Sequence, residues 1–283
     1  MIVEQFLQWI TTANPEKRAR ATHALARAFF VSELSEDDCH AAEAAMTFLL
    51  DDPDVRVRFA LCDVLAEEPE APRHIVLGLL YDVDQISLEI VKKSPVLIDS
   101  ELVDIVALRR KPFQMAVAGR SKVSASVAAA IAEVCEGVVC LELLANPGSV
   151  ILPRTLYRLA ERFGKLEAMQ QALLQHPDLP IAARQLVIAN MSDALGRKAV
   201  KKSFMIASEA KTASREARER ATLSLIRHLP DEELTDLVVH LRDTHQMTTV
   251  LLLRAICAGQ VDFFAEALAL LAGVDRQRIM ALL

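Results

Sequence analysis

The residues best suited to chemistry lie in one cationic stretch. Arg197, Lys198, Lys201 and Lys202 fall close together, and Lys211, Arg215, Arg218 and Arg220 follow. Ammonium and guanidinium groups at this density are suited to anion capture, whether of phosphates, acidic lipid or an anionic partner surface. The competing interpretation is a solvated face in which these cations pair with Glu209, Glu216 and Glu219 at helical spacing. The stretch lacks the succession of interleaved aromatics that base stacking uses. The chain as a whole carries a net charge of −6, which argues against non-specific DNA binding.

Other constellations are weaker. His240 and His245 are five apart, off the i, i+4 spacing of a helical metal pair. His240 with Asp236 and Asp243 reads as surface charge around a helix end rather than as a ligand set. Cys135 and Cys140 are also five apart and have no second pair, which disfavours zinc. Cys39 and His40 are adjacent, so a helix points them apart. Asp37 and Asp38 suit a helix N-terminus by the macrodipole alone. Glu67, Glu68 and Glu70 read as a solvated loop. There is no Gly-x-Ser-x-Gly elbow and no Gly-rich phosphate loop after a strand. The expectation is a protein that is not an enzyme and uses no cofactor or metal.

The elements that would position the cations are short helices. Three stretches align: one opening at Met115, one at Leu141 and one at Gln171. In each, an apolar helical pattern breaks at a polar or Pro-containing turn and a second apolar pattern follows. The turn positions Ser121, Pro147 and Pro177 are 26 and 30 residues apart. That period, built from helix pairs, is the mark of an α-solenoid. The expected first helices lie near Phe113–Gly119, Val138–Ala145 and Leu166–Gln175. The second helices are Ala125–Val134, Pro153–Phe163 and Ile181–Asn190. Ser124, Pro153 and Pro180 mark helix starts. Gly119, Gly137, Gly148 and Gly164 mark ends where a positive φ is expected.

Upstream, a short amphipathic helix over residues 2–12 carries Trp9. Asn14-Pro15 opens a helix reaching about Val31, with Ala21, Leu25, Ala28 and Phe29 inward. Ser35 opens the next, with Ala41, Ala44, Ala45, Phe48 and Leu49 inward. Asp52-Pro53 then caps a helix over Val55–Leu65, with Arg56 and Arg58 facing water. Downstream of Asn190 the apolar pattern thins, and the cationic stretch is either a flexible connector or an exposed helix. Helical patterns resume at Ala221–His228, Glu232–Arg242 and Thr248–Ala272. The expected organisation is residues 1–50 as N-terminal capping helices and 51–190 as helical repeats. Residues 191–283 would form a basic connector with a C-terminal helical subdomain.

Composition agrees with an all-α chain. Hydrophobic residues make up 52%, aromatics only 5%, and Gly and Pro number 8 and 11. An aliphatic core rich in good helix formers follows. Residues 191–230 hold nine Lys/Arg against four Asp/Glu, whereas residues 1–100 hold nine against eighteen. The most apolar window, Val123 to Ala145, is interrupted by Glu133, Glu136 and Glu142, so no membrane span is expected. An early Glu4 without a basic region argues against a secretory leader. Five scattered cysteines read as buried thiols of a reducing cytoplasm. The apolar Ala281-Leu-Leu ending suggests a helix cut short, or a face buried against another chain.

Asp52-Pro-Asp-Val-Arg-Val-Arg-Phe-Ala-Leu resembles the second-helix opening of HEAT repeats. Several runs together resemble the bacterial family called domain of unknown function 2336. They are that stretch with Glu70-Ala-Pro-Arg, then Lys93-Ser-Pro-Val-Leu-Ile-Asp-Ser-Glu-Leu, Leu144-Ala-Asn-Pro-Gly and Leu252-Leu-Arg-Ala-Ile-Cys-Ala-Gly-Gln-Val-Asp-Phe-Phe with Leu271-Ala-Gly-Val. The resemblance runs from about Ala19 to the end. It implies a HEAT-like, ARM-like or leucine-rich-repeat-variant superhelix in the bacterial cytoplasm, and it carries no catalytic residues over. The functional expectation is a non-catalytic scaffold or adaptor that binds another protein and forms a homodimer through the C-terminal helices. The alternative is a HEAT-like nucleic-acid-binding protein using residues 197–220.

Overall fold

The structure is a computed structural model and describes residues 8–10, 12–32, 34–227 and 229–283. Most of the helix expected over residues 2–12 lies outside them. Gln8–Ile10 are helical, and Ile10 packs with Leu49 and Val57. The fold is all-α. Among the described residues there is no named strand, only one isolated bridge between Val123 and Ser149.

The chain divides into two compact units, Met1–Val150 and Ile151–Leu283. The first holds α1 (Pro15–Val31), α2 (Glu36–Leu49), α3 (Val55–Leu65), α4 (Arg73–Leu80) and α5 (Asp84–Lys93). It continues with α6 (Asp99–Ala107), α7 (Lys111–Ala118), α8 (Ala125–Val134) and α9 (Gly137–Ala145). The second holds α10 (Pro153–Phe163), α11 (Glu167–Gln175), α12 (Ile181–Lys201) and α13 (Ala207–Ile226). It ends with α14 (Asp231–Asp243), α15 (Thr249–Cys257), α16 (Val261–Ala272) and α17 (Arg276–Met280). The boundary expected at residue 190 falls inside the continuous helix α12.

Within each unit, the principal contacts join helices one or two places apart in the chain. In the first, α1 touches α3, α3 touches α5, α5 touches α7 and α7 touches α9, and α6 touches α8. In the second, α10 touches α12, α12 touches α14 and α14 touches α16. Local signals set the ends. Asn14, Ser35, Ser124 and Thr248 each accept a backbone N–H of the first turn, as an N-cap does.

Polar side chains tie successive turns of the first unit together. Arg18 grips Asp52 (34 residues on), Arg58 grips Asp82 (24), and Arg110 grips Asp84 (26). Ser124 and Ser126 both donate to Asp99, and these hydroxyls hold its carboxyl below the usual range. Buried Arg120 donates to the carbonyls of Val91 and Ser94, closing the end of α5. Asn146 donates to the carbonyls of Ala118 (2.8 Å) and Arg120 (2.7 Å), and Val123 N–H donates to Gly148 O at 3.0 Å. These separations resemble the 26- and 30-residue spacing of the turns.

Several expectations are corrected. Asp52 is not the cap of α3; Asp54 is, while Asp52 receives Arg18. Arg58 does not face water but lies half-buried against Asp82. Phe48 is exposed, and Met46 is buried in its place. In α1 the buried residues are Thr22 and Ala26. None of Gly119, Gly137, Gly148 or Gly164 sits at positive φ; Gly259 and Gly273 do. Gly148 is required for another reason: a Cβ there would stand 2.0 Å from Ser121 O. The cysteines are not uniformly buried, since Cys257 is exposed. Burial pushes the Cys62 thiol up to about 12. No helix of the described residues is long and apolar enough to cross a membrane.

Candidate functional site

The cationic stretch is neither a connector nor one isolated helix. It comprises the last turns of α12, a short turn, and most of α13. The two helices run antiparallel: Ser214 Oγ donates to Ser192 O at 3.1 Å, Arg218 to Asp193 at 2.9 Å, and Gln185 Nε2 to Thr222 Oγ1 at 3.2 Å. Gly196 permits the close approach, because a Cβ there would lie 2.2 Å from Ser214 Oγ. Ser203 makes the turn. Its φ is 58°, and the N–H groups of Ser203 and Phe204 donate to Val200 O and Ala199 O. This is the Schellman arrangement, here formed without glycine.

Beside this hairpin the second unit opens a cavity of about 830 Å³, within the range of ligand sites. Arg197 and Lys201 from α12 and Lys211, Arg215 and Arg218 from α13 line it. Five of the eight cations singled out in the sequence therefore converge. Lys198 instead reaches Glu167 at 3.7 Å, and Lys202 is exposed at the C-cap of α12. Arg220 pairs with Glu216 at 3.6 Å. Among the described residues no carboxylate pairs with Arg197, Lys201, Lys211 or Arg215.

The floor of the cavity was not anticipated from sequence. Gln185 is fully buried; its Nε2 also donates to Gln246 Oε1 at 3.0 Å, and its own Oε1 has no partner. A second Schellman turn, at His245 (φ 56°), places Gln246 there, with Gln246 N–H donating to Leu241 O at 2.8 Å. Glu219 does not pair with the cationic face. It is buried and meets Arg254 of α15 at 2.8 Å, while Thr248, the N-cap of α15, donates to it at 3.4 Å. One signal pointed inward. Gln185 and Ser192 share the core-facing register of α12 with Ile181 and Ala189, so a polar side chain there is inside.

Chemically, the cleft offers unneutralised cations at the rim, aliphatic wall residues such as Leu241 and Leu251, and a buried amide acceptor. That suits an anionic ligand with an apolar body. Ser214 is committed to Ser192 O rather than to a base. His240 lies elsewhere and corrects the surface assignment: it is buried, 3.4 Å from Tyr157 Oη, with the rings edge-to-face. Burial pulls its pKa down against the smaller opposing pull of Asp243 and Glu161. No cluster of three His, Cys, Asp or Glu suited to a metal occurs among the described residues.

No curated protein and no solved structure matches this chain. A family model does match, over residues 86–283; the stretches around Asp52 and Glu70 that also carried the resemblance lie outside that match. The chain belongs to the bacterial family described as "Uncharacterised protein conserved in bacteria", DUF2336.

Proposed function

We propose that this protein is a non-catalytic helical-repeat adaptor that holds an acidic, apolar-faced segment of a partner protein in the cleft beside α12 and α13. The observation that carries this reading is the convergence of Arg197, Lys201, Lys211 and Arg215, without carboxylate partners, around a wall of aliphatic side chains. An amphipathic helix with carboxylates along its flanks is complementary to that surface. Principal contacts between helices one or two places apart in the chain support the HEAT-like solenoid arrangement. A cytoplasmic location is part of the proposal. Homodimerisation through the C-terminal helices is a separate proposal, motivated by exposed Leu271, Met280 and Leu282 and testable by sedimentation velocity.

The test is capture from the native bacterium, with the wild type and a Lys211→Glu/Arg215→Glu variant as parallel baits, read by mass spectrometry. The expected result is a protein retained by the wild type and lost, or cut at least about tenfold, with the variant, as reversal of two contact charges implies. Equal recovery on both baits would overturn the reading. Salt-sensitive binding of mixed-sequence duplex DNA would favour the nucleic-acid alternative instead.

A further inference from the structure

A second feature of the same hairpin lies outside the cleft. Its tip, residues 202–206, joins α12 to α13, and there Phe204 is 77% and Ile206 64% exposed. In a Schellman turn the residue in Phe204's place ordinarily folds back on the helix it ends. Here the residue it would cover is Ala199, too small to hold a phenyl ring, and Phe204 projects into solvent. Lys201 and Lys202 close the helix immediately behind the tip, and Arg197 and Lys198 lie within about two turns of it. No Asp or Glu occurs between Asp193 and Glu209. Glu209 is engaged with the backbone N–H of Ile206.

We propose that this tip docks the protein on an anionic phospholipid surface. Two apolar side chains lead and four cations follow, which matches the order of acyl chain and phosphate headgroup across a membrane boundary. Long Lys and Arg stems allow the charges to remain among the phosphates while Phe204 and Ile206 enter the apolar layer. Charge complementarity selects the occupant: a neutral apolar partner would gain nothing from four cations around its edge. Arg197 and Lys201 also line the cleft, but this inference does not rest on the acidic-segment reading, because Phe204 and Ile206 lie outside the cleft.

The test is co-sedimentation of the full chain with neutral phosphatidylcholine vesicles and with vesicles that also contain phosphatidylglycerol. The expected result is binding to the anionic vesicles alone, weakened by salt. Phe204→Ser/Ile206→Ser and Lys201→Glu/Lys202→Glu should each lower it at least about tenfold, from lost apolar burial and lost headgroup attraction. Circular dichroism should show both variants fully helical, because all four residues are exposed. No wild-type binding, equal binding to both vesicle types, or undiminished binding by Phe204→Ser/Ile206→Ser would each overturn the proposal. Partner capture by the Phe204→Ser/Ile206→Ser protein should match the wild type, so the two readings can fail separately.

Discussion

Gln185 of α12 and Gln246 of the turn after α14 meet side chain to side chain, Nε2 to Oε1 at 3.0 Å. Thr222 of α13 is bound by the same amide, so one buried residue links three segments of the second unit. Gln185→Ala removes that link and takes the donor from Gln246 Oε1, while Thr222 keeps its bond to Arg218 O at 2.9 Å. It is expected to cost about 1–3 kcal/mol in urea unfolding, the range for orphaned buried polar groups. Unchanged stability would mean that the floor is held by its aliphatic neighbours alone.

Glu219 and Arg254 are unequally exposed, at 7% and 36% of the side chain. Glu219→Gln should therefore cost less than breaking a fully buried pair, because Arg254 can turn to water; about 1–2 kcal/mol is expected. Arg254→Met leaves the carboxylate inside without its cation and should be the more damaging change. Chemical denaturation of the two variants, side by side, decides the order.

His240 predicts a pH dependence of stability. Its pKa is below the ordinary 6.5 in the folded chain because of burial. Above that value the ring is neutral in both states and costs nothing. As pH falls through it, the unfolded chain takes up a proton that the folded chain refuses, so stability falls toward the lower folded value. For a single group the slope is at most about 1.4 kcal/mol per pH unit. His240→Phe keeps an aromatic ring against Tyr157 and should flatten the profile between neutral and mildly acidic pH. Parallel melting curves for the two proteins check this, and identical slopes would count against it.

Gly148→Ala places a methyl 2.0 Å from the Ser121 carbonyl oxygen, which is backbone and cannot rotate away. The turn must open, breaking the Val123–Gly148 hydrogen bond. A loss of about 2 kcal/mol or more is expected. Gly259→Ala, which meets nothing within 4 Å but holds a positive φ, is the control. It should cost only about 1 kcal/mol of backbone strain.

Helix limits were readable because Asn14, Ser124, Pro153 and the turn prolines act locally. The helices Ala125–Val134 and Pro153–Phe163 lie where the sequence put them. Facing was harder to read. In α2, alanines at 41, 42, 44 and 45 spread around the cylinder, so the apolar stripe has no sharp centre. Such a stripe puts Phe48 inside, yet it lies outside. The charge surplus of residues 191–230 was legible, but its arrangement around a cavity was not. That depends on Gly196 bringing α12 against α13 and on His245 turning the chain after α14. Glu219 meets Arg254 rather than the cationic face for a related reason: helical spacing shows which neighbours share a helix face, but not which other helix covers it.

The missing side chain at Gly196 has a mechanical consequence. With no Cβ at that position, α12 and α13 pack directly against each other, with the Phe204 turn at one end of the pair and the cleft walls along it. A load on the Phe204 turn would therefore be passed to the segment that carries Lys211 and Arg215. Wedging the rods apart with Gly196→Leu would uncouple those ends.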